Sequence, residues 1–175
     1  VTGISSEKFE KLFPESFKRG KVFEVFDLDG KEFALARTEK KTGTGHKNFE
    51  VTCNSNITIE EDLSRRDITI NSMAQDVITG EIIDPYGGRK DLQNHIIKAT
   101  TSSFKEDPLR VYRAARFSSK FNFEIEPETL KLMNELKPEL NLLSAERVFE
   151  ELRKALNTDY PENFFYNLRK ADVLD

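Results

Sequence analysis

Glu106-Asp107-Pro108-Leu109-Arg110-Val111-Tyr112-Arg113-Ala114-Ala115-Arg116-Phe117 (residues 106–117) places an arginine at every third position of an otherwise apolar helix. Pro108 suits the first turn of a helix, where a missing N–H removes no hydrogen bond. Arg110, Arg113 and Arg116 then fall along one strip about 120° wide at ~100° per residue. Leu109, Val111, Tyr112, Ala114, Ala115, Phe117 and Phe121 cover the other sides, so the helix is expected to be largely buried. Buried arginines need partners. Two kinds fit: acidic residues such as Glu146, Glu150 or Glu151 on a neighbouring helix, or a ligand with phosphates and hydrogen-bonding edges. A carboxylate and a guanidinium one turn apart can match the donor and acceptor edge of a base.

On the C-terminal side the pattern is wholly helical, with helices expected over 108–121, 127–136, 144–156 and 161–170. Pro127 suits a first helical position and Ser144 an N-cap. On the N-terminal side the pattern is mixed. Phe9, Leu12, Phe13 and Phe17 have helical spacing, with Pro14 expected to end or kink the helix. Val22–Leu28 and Glu32–Ala36 flank Asp29-Gly30, a strong hairpin signal. Residues 37–56 carry few apolar anchors and are expected to form a loop. Ile68 to Gln75 is expected to be a short helix capped by Asp67, and a second hairpin is expected around Thr79-Gly80. Val1-Thr2-Gly3 reads like the end of a strand, so the chain is expected to have been cut within an element. The change from mixed α/β to all-α near residue 100 marks a candidate domain boundary.

Arg65-Arg66-Asp67 with Asn71 forms a second constellation. Two arginines beside free helix amides suit a triphosphate and its ribose, and an ordinary capped helix with solvated arginines suits the same residues. Asp84-Pro85-Tyr86-Gly87-Gly88 lacks the spacing of a phosphate-binding loop and is expected to be a structural turn fixed by Asp84 and Asp91. His46 and His95 have no ligand-spaced neighbours. The net charge of −4 gives no global attraction to a polyanion, so nucleic-acid contact must come from local basic clusters. Cys53 is the only cysteine, which excludes an internal disulfide and suits the cytoplasm. No apolar run approaches transmembrane length, so no membrane partner is expected.

Together these segments resemble the bacterial class II tRNA nucleotidyltransferases and the related bacterial poly(A) polymerases. The likeness is carried by residues 65–74, by Asp84 to Gly88, by Asp91-Leu92 and by Glu106 to Phe117. Ser144-Ala145-Glu146-Arg147 and Phe164-Phe165 extend it over nearly the whole chain. The resemblance implies an α+β protein: a polymerase-β-like mixed-sheet head over residues 1–97, an all-α neck over 98–157, and the start of a helical body over 158–175.

It also implies roles. Arg66, Asp67 and Asn71 would contact the sugar and triphosphate of the incoming nucleotide. Asp107 and Arg110 would read the edges of ATP and CTP in place of a template, with Arg113 and Arg116 near the phosphates. Such enzymes complete the 3′ end of tRNA with CCA. Glu32 and Arg37 match a Glu-x-x-x-x-Arg element associated with switching from C to A addition. In the family a Gly-Gly/Ser motif is followed by an Asp-x-Asp pair that binds Mg2+; no such segment occurs here, so this chain is expected to bind nucleotide without catalysing transfer. A poly(A) polymerase using ATP alone or an A-adding enzyme, a non-catalytic nucleotide- or RNA-binding module, and a structural helical protein are the other readings.

Overall fold

The computed structural model describes residues 1–19, 25–41, 49–52 and 56–174, with 38–41 and 49–52 followed as backbone. Helix α1 (Ser6–Leu12) opens on Ser5, whose hydroxyl accepts the Lys8 amide at 3.3 Å, and stops short of Pro14. Strands β1 (Phe17–Arg19), β2 (Val25–Leu28) and β3 (Lys31–Ala34) form an antiparallel sheet in that order. Asp29 and Gly30 join β2 to β3 with φ of 51° and 74°, the two left-handed residues that a tight type I′ turn requires. Phe9, Phe26 and Leu35 are buried together, with the Phe9 and Phe26 rings stacked 4.6 Å apart.

The stretch expected to be a loop contains a hairpin, β4 (Thr38–Lys41) against β5 (Phe49–Thr52), with Thr38 opposite Thr52. Phe49 and Val51 alternate with polar residues on β5, but the Thr-Glu-Lys-Lys of β4 carries no apolar residue to announce its partner. His46 and the rest of 42–48 and 53–55 lie outside the described residues.

Helix α2 (Ile59–Ser64) begins with a reciprocal cap: Thr58 Oγ1 accepts the Glu61 amide, and Glu61 Oε2 accepts the Thr58 amide at 2.8 Å. The helix expected over 68–75 does not form. A single 3-10 turn spans Thr69–Asn71, preceded by extended Ile68. Ile68 bridges to Ala99, flanked by hydrogen bonds from the Thr69 amide to Lys98 O and from the Thr100 amide to Asp67 O. Burial decides this: Ile68 sits fully inside the main core, and only the extended path places it there. Asp67 therefore caps no helix.

β6 (Ala74–Gln75) and β7 (Ile82–Ile83) form the expected second hairpin. α3 (Gly88–Gln93) follows the Pro-Tyr-Gly-Gly turn, whose structural role is plain. Asp84 accepts the Gly88 and Arg89 amides at 2.7 and 2.9 Å, and Asp91 accepts the Thr69 hydroxyl at 2.7 Å. Gly87 has φ 74°, and a Cβ on Gly88 would lie 2.3 Å from Thr69 O. His95 stacks on Phe123 at 4.8 Å.

β8 (Ile96–Ile97) pairs in parallel with β9 (Glu124–Ile125), tying the mixed half to the helical half. The helices are α4 (Arg110–Phe121), α5 (Pro127–Glu135), α6 (Ala145–Leu156) and α7 (Glu162–Lys170), within two residues of the expected ends. α4 lies at the centre, where buried Ala114 and Ala115 leave room for α6 and α7 to approach. One core runs from Ile68 and Ile97 through Phe104, Val111 and Met133 to Phe164 and Leu168. The α+β class and the order of its parts are as the sequence implied.

Candidate functional site

Most residues of both constellations meet in one open cleft of about 560 Å3. α2 ends at its rim and leads into Arg65 and Arg66, Asp67 precedes the 3-10 turn that carries Asn71, and Asp107 precedes α4, whose start carries Arg110 and Arg113. Arg37, just before β4, and Arg147, in the first turn of α6, complete the wall. Six arginines against two aspartates line this cleft, in a chain whose net charge is −4. Electrostatically it is a site for an anion.

Each group is held. Asp67 is 6% exposed; its Oδ1 accepts the Ile68 amide and the Asn71 amide group at 2.9 and 3.1 Å. Its Oδ2 accepts Arg113 Nη2 and Nε at 2.6 and 2.8 Å. Arg66 is exposed and donates to Asn71 O at 3.1 Å. Arg110 donates from Nη1 to Ser103 O and from Nη2 to Arg65 O, both at 2.6 Å. Asp107 turns the chain into α4 by accepting the Leu109 amide on Oδ1 at 3.0 Å, and its Oδ2 accepts Arg147 Nη2 at 2.8 Å.

Asp62 lies beneath the cleft and was not foreseen. It accepts Arg65 Nη2 at 2.6 Å and the Arg37 amide at 3.2 Å, with Arg66 Nη2 3.5 Å away. Burial alone would raise the Asp62 carboxyl. The Arg65 hydrogen bond and charge, the Arg37 amide and the Arg66 charge outweigh burial and hold it below the usual carboxylate range. Its spacing, three and four residues before Arg65 and Arg66, is the sequence signal by which it could be found. Arg147 was present in the quoted Ser-Ala-Glu-Arg run, but only the fold shows that it reaches Asp107.

Two expected site residues stand apart. Arg116 does not line the cleft: its Nε lies 2.5 Å from Oε2 of Glu151, itself 3% exposed, and its guanidinium packs 4.1 Å from the Phe117 ring centre. This is the internal acidic partner that the helical spacing allowed. Glu32 lies exposed on β3 opposite Asp27, away from the cleft that Arg37 lines. Among the described residues no three His, Cys, Asp or Glu side chains come together to hold a metal.

The family model described as the poly(A) polymerase head domain matches residues 1–98. This chain belongs to that family. A second model, described as a probable RNA- and SrmB-binding site of polymerase A, matches residues 122–175. The Multifunctional CCA protein of Haemophilus ducreyi is 46% identical over 162 residues, covering 89% of this chain and 39% of that relative. The Bacillus stearothermophilus CCA-adding enzyme in complex with CTP superposes with a TM-score of 0.81 at 30% identity, over 98% of this chain and 42% of that one. The Thermotoga maritima CCA-adding enzyme complexed with tRNA gives a TM-score of 0.69 at 29% identity, over 96% and 39%. The chain thus spans about two fifths of the length of these family members. No helix of the described residues is long and apolar enough to cross a membrane.

Proposed function

We propose that this chain is the nucleotide-selecting part of a cytoplasmic tRNA nucleotidyltransferase that adds CCA from CTP and ATP. The observation that carries the reading is the meeting of Arg66, Asp67 and Asn71 with Asp107, Arg110 and Arg113 in one arginine-lined cleft. Arg66 and Arg113 attract the triphosphate, and Asn71 and Asp67 hold the ribose side. Asp107 accepts from an exocyclic amino group while Arg110 donates to the neighbouring ring acceptor. Cytosine and adenine present that order of donor and acceptor; uracil and guanine present the reverse. Arg116 supports the strip through Glu151 without touching nucleotide, and Arg37 borders the cleft as the inner end of the C-to-A switching element with Glu32. The division into head (1–97), neck (98–157) and body (158–175) belongs to the same reading.

In the family, Mg2+ neutralises triphosphate charge and activates the primer hydroxyl. The described residues do not form a site for it: Asp62, Asp67 and Asp107 are each taken by arginines. The reading assigns the residues of the cleft to binding and selection.

Thermal unfolding with each nucleoside triphosphate tests this. A ligand at ~100 times its dissociation constant adds about 2.7 kcal/mol of stability. Shifts with CTP and ATP but not UTP or GTP are expected. A shift with ATP alone would favour the poly(A) polymerase reading, which the description of the head-domain model supports. No shift from a cooperatively melting chain would remove nucleotide selection from it.

A further inference from the structure

At the far end of α4, a second cavity of about 330 Å3 opens between Asn122 and α7. Asn163, Tyr166, Asn167 and Lys170 line it at the spacing of one helix face. Tyr166 is 61% exposed, unusual for so large a ring, and the Lys170 ammonium lies 5.8 Å from its centre. Asn167 is only 4% exposed. Its Nδ2 donates to Ser118 Oγ and Asn163 O, both at 2.9 Å, while its Oδ1 has no hydrogen-bond partner among the described residues. The oxygen faces the cavity, where it is free to accept from a donor that enters. Asn122, held left-handed at φ 56°, accepts Asn163 Nδ2 through its Oδ1 at 3.0 Å, which leaves its own amide hydrogens for a ligand.

An open aromatic face, one cation, one amide acceptor and one amide donor form a set suited to a base and its phosphate. We infer that this cavity holds one unpaired nucleotide of an RNA strand, with its base on Tyr166, its edge on Asn167 Oδ1 and Asn122 Nδ2, and its phosphate at Lys170. The inference rests on the reading of the chain as one that acts on RNA, which the matched RNA-binding model over residues 122–175 supports. It does not depend on nucleotide selection in the cleft.

Fluorescence anisotropy with a labelled 12-nucleotide single-stranded RNA tests it. Tyr166→Ala is expected to weaken binding about tenfold and Tyr166→Phe to retain it, because the ring face carries the contact. Asn122→Gly, which keeps the left-handed backbone and removes the amide, is expected to weaken binding while the chain still melts cooperatively. Wild-type affinity in folded Tyr166→Ala, equally tight binding of a fully paired duplex, or no RNA binding by the wild type would overturn the inference. The CTP-induced melting shift is read on the same samples. Its absence with Tyr166-dependent RNA binding would sink the cleft reading alone; its presence with Tyr166-independent binding would sink this one alone.

Discussion

Arg113 reaches across 46 residues of chain to Asp67, its Nη2 and Nε lying 2.6 and 2.8 Å from one carboxylate oxygen. This pair locks the arginine helix to the block that precedes the 3-10 turn, so two motifs distant in sequence become one wall. Arg113→Ala leaves a nearly buried carboxylate without its cation. Charge-assisted hydrogen bonds are worth about 1.5–3 kcal/mol, and a loss within that range is expected from urea unfolding midpoints. The CTP shift should vanish as well. An unchanged midpoint would mean that solvent replaces the guanidinium at no cost.

Asp107→Asn keeps the size of the side chain and the turn into α4, and changes what it offers a base. An amide can rotate to donate where a carboxylate only accepts. Discrimination of CTP over UTP is therefore expected to fall by roughly tenfold, within the 1–3 kcal/mol typical of a paired base contact. Isothermal titration with both nucleotides checks it. Undiminished discrimination would move the reading of the base to other residues.

Gly88 packs its α-carbon against the Thr69 carbonyl. Gly88→Ala forces α3 away from the 3-10 turn, and overpacking of this kind costs about 1–3 kcal/mol. A lowered melting temperature is expected. Circular dichroism would detect it, and a melting temperature equal to that of the wild type would show that the two segments can part freely.

Asp62 makes the protein acid-sensitive in a defined direction. Because its folded pKa is depressed, the stability it contributes is fully present above the ordinary carboxylate pKa. That stability is lost as pH falls through the lower folded value. Asp62→Asn is expected to flatten the acid limb of the stability profile below about pH 4 while lowering stability at neutral pH. A mutant profile parallel to that of the wild type would assign the acid response to other carboxylates.

Helix α4 and its neighbours were legible because apolar spacing, Pro108, Pro127 and Ser144 all agree with what tertiary packing then demands. Residues 68–75 were not. The local signals of Asp67 and Asn71 favoured a capped helix, and the burial of Ile68 against Ala99 overrode them. The strip of three arginines was read correctly as a strip, but periodicity cannot tell which side of it faces a ligand. Arg110 and Arg113 line the cleft, whereas Arg116, about one turn beyond Arg113, meets Glu151. The contact of Arg147 with Asp107 crosses 40 residues between elements that only the fold brings together, whereas Asp62 was within reach of the sequence through its spacing to Arg65 and Arg66.

The small cluster of Phe9, Phe26 and Leu35 is separate from the core that runs from Ile68 to Ala171. Cooperative units of this kind open at different free energies, and amide hydrogen exchange reports each one. Strands β2 and β3 belong to the smaller unit, and Arg37 follows directly after it. Opening of that unit alone would withdraw one wall of the cleft while α4, α6 and α7 stay folded. Exchange at Phe26 and Phe33 faster than at Val111 and Ala114 would reveal a protein whose ligand pocket loosens well below its melting point, with one side hinged and the other fixed.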